Sequence, residues 1–275
     1  MTSAPPPLPA FGALLLDTLV ITASRTPQPP EHVAFSVKSL DAETLRASPT
    51  TTLDGVLRSV PGFSLFRRSD SFTANPTAQG VSLRGLGPSG ASRSVVLLDG
   101  VPLNDPFGGW VAWTKIPREG LDRAELVPGG GATAWGNAAL GGVVQLFTVP
   151  AETRSTFAAS DPSVNFGFVP ILISKPRGRI AASFGDFGTR SGELIATQPA
   201  GRGVVQLLGN TFSTDGFPLV APERRGPIDL AAWSRHRWLT ARWRAPVGEN
   251  LELTATARGY EEFRGNGTPY QRNGS

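Results

Sequence analysis

The sequence predicts an α+β unit with a small mixed sheet and short helices over residues 30–150, followed from residue 178 by antiparallel strands. Three observations carry that expectation. Thirty-two glycines and 25 prolines in 275 residues rule out an architecture of long helices, because each costs a helix interior about 1 or 3 kcal/mol against alanine. Leu53, Val56, Leu57 and Val60 recur at i, i+3, i+4 and i+7, the period of one short amphipathic helix. Beyond Leu239 apolar and polar residues alternate one by one, the period of a strand with two different faces.

Taken in order, residues 1–16 form a Pro-rich leader, expected to be disordered or polyproline-like. Asp17–Ala23, "DTLVITA", is a β-prone stretch closed by Pro27, Pro29 and Pro30, a short strand on a tether. Next come a strand-like "HVAFSV" and two short helices. The second has Thr51 or Thr52 as its N-cap candidate and Pro61-Gly62 as its stop. Residues 63–80 read as a long polar loop and Val81–Gly85 as a strand. In "SVVLLDGVPL", Asp99-Gly100 suits a type I′ turn between two apolar runs. An irregular stretch, 104–117, holds Phe107, Trp110 and Trp113, and residues 121–150 read as strand, glycine-rich turn, small-residue segment and closing strand. Residues 151–177 read as a linker or as the entry to the strands that follow.

In the last region, 178–275, Leu239, Ala241, Trp243, Ala245 and Val247 share one face opposite Thr240, Arg242 and Arg244. After Gly248-Glu249-Asn250, Leu251, Leu253, Ala255 and Ala257 repeat the pattern opposite Glu252, Thr254, Thr256 and Arg258. Strands of about ten residues with this alternation suit a membrane β-barrel, and equally one sheet of a soluble sandwich.

Composition excludes several function classes. With 40% hydrophobic residues and a net charge of +4, the chain is not intrinsically disordered. It has no cysteine, which removes disulfides, thiolate metal sites and thiol nucleophiles, and only His32 and His236 remain for metal or triad chemistry. No metal site, cofactor or catalytic residue is expected. Its cations are spread along the chain, unlike the basic stripe of a nucleic-acid binder. The first residues lack the basic n-region of a signal peptide. Gly85–Gly90 matches G-x-G-x-x-G, but a strand follows where a dinucleotide site needs a helix. Gly129–Gly131 is followed by no Lys-Ser/Thr, so it is a turn and not a P-loop. Asp99, Asp105, Asp122 and Glu125 default to solvated turn carboxylates.

Three segments in this order resemble the TonB-dependent outer-membrane receptor family. "DTLVITA" is similar to the TonB box. "TTLDGVLRSVPGFSL", "VSLRG" and "SVVLLDGVPLND" are similar to the body of the plug domain. "LDRAELVPGGGATAWGNAALGGVVQLFT" is similar to the plug's closing signature. The resemblance covers residues 17–150 in detail, and the later strands agree with the family's barrel in character. One departure is Pro128, which stands where the family's closing turn usually has an arginine.

The resemblance implies an outer-membrane receptor for energy-coupled uptake of a ferric siderophore, cobalamin or another small ligand, in contact with outer-membrane lipid. Asp17, Thr18, Leu19, Val20, Ile21, Thr22 and Ala23 would bind the C-terminal domain of TonB by adding a strand to its sheet. Arg84 would lock the plug to barrel glutamates, with Glu125 part of the same lock. The outward plug loops would contact the ligand: Arg67, Arg68 and Arg93 suit an anionic chelate, and Phe107, Trp110 and Trp113 a flat organic one. The alternative for these aromatics is packing. About 22 strands make a plugged transporter, and residues 178–275 suffice for about five strands, so the expectation is an intact plug with an incomplete barrel, unable to form the channel alone. A second reading is a soluble periplasmic plug-like binding or signalling module without a barrel.

Overall fold

The computed structural model describes residues 22–26, 28–29, 32–67, 69–86, 92–116, 118–151, 177–247, 251–270 and 272–274. The leader, Asp17–Ile21, Arg68, most of the glycine motif at 85–90, the linker 152–176 and the turn 248–250 lie outside the described residues.

The N-terminal unit is built on a five-stranded sheet, and its helices start where the side chains can cap them. β1 (Lys38–Asp41) runs into α1 (Ala42–Ala47), whose first turn is capped by Asp41 accepting from the Thr44 N–H at 2.8 Å. α2 (Leu53–Leu57) is capped by Thr52 accepting from Gly55 N–H at 3.2 Å. Its predicted apolar face is buried: Leu53, Val56, Leu57 and Val60 are all 4% exposed or less. A two-stranded ribbon follows, β2 (Phe63–Leu65) against β3 (Val81–Leu83). β4 (Ser94–Leu98) and β5 (Val101–Pro102) form the expected hairpin, with Asp99 at φ 50° and Gly100 at φ 82°, the two left-handed positions of a type I′ turn. β6 (Leu121–Pro128), the short α3 (Ala132–Trp135) and β7 (Gly142–Thr148) complete the unit.

The sheet order is β1-β6-β7-β4-β5, with β4 and β7 parallel and the other pairs antiparallel. β4 is buried on both faces, which is why it reads as an uninterrupted apolar run. Val96 and Leu98 join the main core under the helices, while Val95 and Leu97 pack with Ala139 and Val143 on the other side. Gly142 opens β7 at φ 134°, and a Cβ there would lie 2.3 Å from the Val127 carbonyl, so only glycine lets β7 start against β6. The "HVAFSV" strand is displaced: the pairing on β6 is taken by Lys38–Asp41, while Val33 and Val37 cover Ala23 and Val127 as irregular chain.

The second region is an antiparallel meander of five long strands, β8 (Arg177–Gly185), β9 (Thr189–Ala200), β10 (Gly203–Thr214), β11 (Ser234–Val247) and β12 (Leu251–Gly265), with a short β13 (Arg272–Gly274) at its edge. The described sheet is open, running from β13 to β8 without closure. Even-numbered residues of β10–β12 face the N-terminal unit and odd-numbered ones face away. The predicted outward stripe holds, with Leu239, Trp243 and Val247 at 53, 37 and 46% exposure, although Ala245 is covered against Gly203. No helix among the described residues is long and apolar enough to cross a membrane, which says nothing of crossing by strands.

Candidate functional site

Three places on this scaffold bear on function: the described end of the "DTLVITA" segment, the seam between the N-terminal unit and the sheet, and the exposed loops.

Thr22 and Ala23, the last two residues of that segment, lie in a turn docked on β6. Every polar backbone and side-chain group of Thr22 is engaged. Its N–H and hydroxyl both donate to Glu125 Oε2, at 3.0 and 2.5 Å, and its carbonyl accepts from the Trp135 indole at 2.7 Å. Glu125 is fully buried, and its other oxygen accepts from Arg123 Nε at 3.0 Å. The Arg25 guanidinium covers the Trp135 ring at 4.4 Å, and Ala23 packs on Val127. A buried carboxylate held by a cation and two donors from one residue is a fixed clamp, since removing either side would strand a desolvated group. Thr22 itself carries no strand pairing.

The seam consists of two polar knots and a ring stack. At the turn, Asp99 accepts from the Thr148 N–H at 2.9 Å and from Arg242 Nη2 at 2.5 Å, with Arg258 Nη2 at 3.6 Å. Arg242 also donates to the Thr148 hydroxyl at 2.9 Å, and Gln206 of β10 donates to the Val149 carbonyl at 2.9 Å. At the other end the Thr114 hydroxyl meets Tyr260 at 2.7 Å and Glu262 at 3.1 Å, while Arg264 bonds the Ala74 carbonyl and Glu262. Between them the Phe72 ring stacks on Phe212 at 3.9 Å, with His236 alongside. Arg179 of β8 pairs with Glu119.

Neither residue expected in the lock sits in this seam. Arg84 is exposed, at φ 59°, with its guanidinium against Gly129 of the closing turn, and no ion pair of Arg84 is present among the described residues. Glu125 bonds Arg123 and Thr22 as above. Asp99, read from sequence as a solvated turn carboxylate, is instead one of the anions of the observed seam, beside Glu119 and Glu262. Its signal was there to find: a turn aspartate in the N-terminal unit and arginines at 242 and 258 on the polar face of the strands.

The loop candidates separate. Arg67 and Arg93 are exposed, and Arg68 lies outside the described residues. Phe107 is 98% exposed at the tip of a turn that Asp105 ties down through the Phe107 and Gly108 N–H groups at 3.0 and 2.7 Å. Asn104 braces the same loop to β4 by accepting from Val96 N–H at 2.7 Å and donating to the Ser94 carbonyl. Trp110 is half-buried, lying over Gly108. Trp113 faces the core at 2% exposure, edge-on to Phe63 at 6.1 Å, so it packs and presents no face to a ligand. The Arg67 loop is fastened by the buried Asp54, whose carboxylate accepts from the Ser71 N–H and hydroxyl at 3.1 and 2.7 Å. Burial pushes the Asp54 carboxyl above the usual range, against the lowering effect of those bonds.

Comparison with known proteins agrees with this architecture. Residues 29–143 match the model of the TonB-dependent Receptor Plug Domain. The vitamin B12 transporter BtuB of Vibrio vulnificus is 28% identical over 207 residues, 75% of this chain and 30% of that protein. The ferrienterobactin receptor of Escherichia coli is 30% identical over 145 residues, 48% of this chain and 18% of that protein. A crystal structure of a ferric enterobactin receptor mutant from Pseudomonas aeruginosa superposes with a TM-score of 0.62 at 18% identity, over 90% of this chain and 35% of that one. The chain thus spans less than a third of the length of these curated relatives. The mixed sheet, from β1 to the opening of β7, coincides with the stretch that matches the plug-domain model, so residues 29–143 are similar to the plug domain of TonB-dependent receptors.

Proposed function

We propose that the chain provides the energy-coupling plug and the first barrel strands of an outer-membrane receptor that takes up a scarce ligand, a ferric siderophore or cobalamin, in the barrel that completes its open sheet. The observation that carries this reading is the docking of the box's last residues on β6 by Glu125 and Trp135. A segment pulled from the periplasm must be joined mechanically to what it moves, and here the joint is a strand inside the plug sheet. Asp17–Ile21 stand immediately before the clamp, with Leu19, Val20 and Ile21 suited to pair as a strand with the C-terminal domain of TonB.

The ligand class rests on the exposed loops. Arg67 and Arg93 suit an anionic chelate, and Phe107 and Trp110 offer aromatic surface to a flat one. The names of the relatives, vitamin B12 transporter and ferrienterobactin receptor, fall in the same two classes. Arg84 remains the proposed cation of a lock with strands beyond the described sheet.

The test is Leu19→Pro in the complete receptor, since proline removes a ladder donor. Ligand binding should survive and energised uptake should be lost; uptake at the wild-type rate would sink the assignment of the box. Binding titrations with ferric catecholates and with cobalamin separate the two ligand classes.

A further inference from the structure

We propose that Arg242 and Arg258, on the inward face of β11 and β12, form a second binding site for the transported ligand, one that takes the carboxylate or catecholate oxygens of an anionic ferric chelate. In the resting protein Asp99 occupies this site as a stand-in for that anion. The proposal rests on the receptor reading above and narrows its ligand to the anionic class.

Strand register places the two guanidiniums together. Arg242 lies opposite Thr256 and Arg258 opposite Thr240, so the arginines stand on neighbouring strands, two positions apart on one face, at about 7–8 Å. Both reach the same oxygen, Asp99 Oδ2, Arg242 Nη2 at 2.5 Å and Arg258 Nη2 at 3.6 Å. Two guanidinium forks that converge on one carboxylate oxygen have the geometry of an anion site. Among the described residues Asp99 is the only carboxylate paired with either arginine, and it belongs to the β4–β5 turn of the N-terminal unit. The sheet thus supplies the cations and the N-terminal unit the anion. Arg264 is the contrast: its carboxylate, Glu262, lies on its own strand, so movement of the N-terminal unit frees no cation there.

Space and position suit a ligand in transit. A cavity of about 540 Å³ adjoins the pair, lined by Asp99, Arg242, Arg244, Glu252, Arg258 and threonines. Its three arginines face two carboxylates, and withdrawal of Asp99 leaves them facing Glu252 alone. The cavity runs from Arg258, midway along β12, to Glu252 near its start, at the end of the sheet where short connections join β9 to β10 and β11 to β12. Short turns mark the periplasmic side of a barrel, opposite the long connection 215–233. A pull on the N-terminal unit that withdraws Asp99 leaves two like charges side by side without a counter-ion, and an anionic chelate moving inward restores the balance. Return of the turn brings Asp99 back to the same guanidiniums, where it competes with the ligand and releases it to the periplasm. A ligand without net negative charge gains nothing at this site.

The experiment uses the complete receptor in detergent and equilibrium dialysis with radiolabelled citrate as the anionic probe. Asp99→Gly clears the site, and glycine adopts the left-handed φ of 50° without strain. This variant should bind citrate about tenfold more tightly than the wild type, and adding Arg242→Gln and Arg258→Gln should abolish the gain. Equal citrate affinity in all three proteins, or a gain that survives loss of the arginines, overturns the proposal. Transit is tested with Asp99 in place: Arg242→Gln with Arg258→Gln should slow energised uptake of a ferric catecholate about tenfold while the Kd at the cell surface holds. A plug seat that is merely weakened would leave the rate unchanged or raise it, and either result overturns the transit role. Arg258→Gln alone, which removes the longer of the two contacts, should slow uptake about threefold and serves where heat-modifiable electrophoretic mobility shows that the double variant does not assemble. If Leu19→Pro leaves uptake intact, the receptor reading fails by itself, an outcome distinct from any result of the citrate titration.

Discussion

Leu146 in β7 and Leu239 in β11 are the same side chain in two sheets of one chain, yet Leu146 is fully buried and Leu239 is 53% exposed. The plug solves its folding problem internally: helices α1 and α2 and the face of its sheet close over one cluster that includes Leu57, Trp113 and Leu146. The barrel strands leave only one face open, with Leu239, Leu251 and Leu253 exposed outward and Arg242, Arg258 and Glu262 turned inward onto the plug. The difference teaches that the two regions are written for different solvents. Plug residues pack against each other, whereas strand residues meet the plug on one face and carry an exposed apolar stripe on the other, an arrangement that suits a lipid-facing strand.

The largest expected effects test that statement with one substitution made twice. Leu146→Ala should cost about 4 kcal/mol, because it forfeits transfer energy and leaves a cavity that a packed core fills poorly. Leu239→Ala should cost about 2 kcal/mol in a bilayer, the transfer of about three methylene equivalents alone, since fluid acyl chains flow into the space. Chemical denaturation of the complete receptor in liposomes, followed by tryptophan fluorescence, measures both. Equal costs would mean that the outward face is packed against protein and not against lipid.

That contrast also marks what was legible in the sequence. The helix at Leu53–Leu57, the type I′ turn at Asp99-Gly100 and the outward stripe of β11 follow from local rules, so period and turn chemistry found them. The displaced first strand was not local. Val33, Phe35 and Val37 alternate as a strand should, but whether they pair depends on which residues reach β6, and Lys38–Asp41 do. Of the candidate site, the docked end of "DTLVITA" and the exposed loop tip at Phe107 belong to segments visible in the sequence. The partners of Glu125 and Asp99 were not, because a carboxylate's role is set by residues 103 positions away at Thr22 and 143 away at Arg242.

The seam comes next in size, because it is where the two regions depend on each other. Asp99→Ala removes the shared acceptor of Arg242 and of the Thr148 N–H. The expected loss is about 2 kcal/mol of plug docking, below that of a fully buried pair because a quarter of the Asp99 side chain is exposed. Asp99→Asn should lose less, since asparagine also tolerates the left-handed turn position. The readout is proteolytic nicking of the linker after Val149, which should quicken in Asp99→Ala while the denaturation midpoint of the plug core holds. A coincident fall in that midpoint would show that Asp99 supports the plug's own fold and not its seat in the barrel.

The smallest effect concerns the clamp, and it separates docking of the box from stability of the plug. Glu125→Gln keeps the size of the side chain and one acceptor but gives up the charge that strengthens both Thr22 bonds and the Arg123 pair. With the Trp135 bond to the Thr22 carbonyl intact, about 1 kcal/mol should be lost, enough to raise the undocked population about fivefold. A spin label at Val20 reports it, the mobile spectral component growing in Glu125→Gln and staying at the wild-type level in Asp99→Asn. That pattern would assign the two carboxylates to different tasks, Glu125 to the joint that the box pulls on and Asp99 to the seat that resists the pull. A label equally immobile in wild type and Glu125→Gln would instead place the hold on the box in the Trp135 contact alone, and Trp135→Phe, which deletes only the indole donor, would then release it.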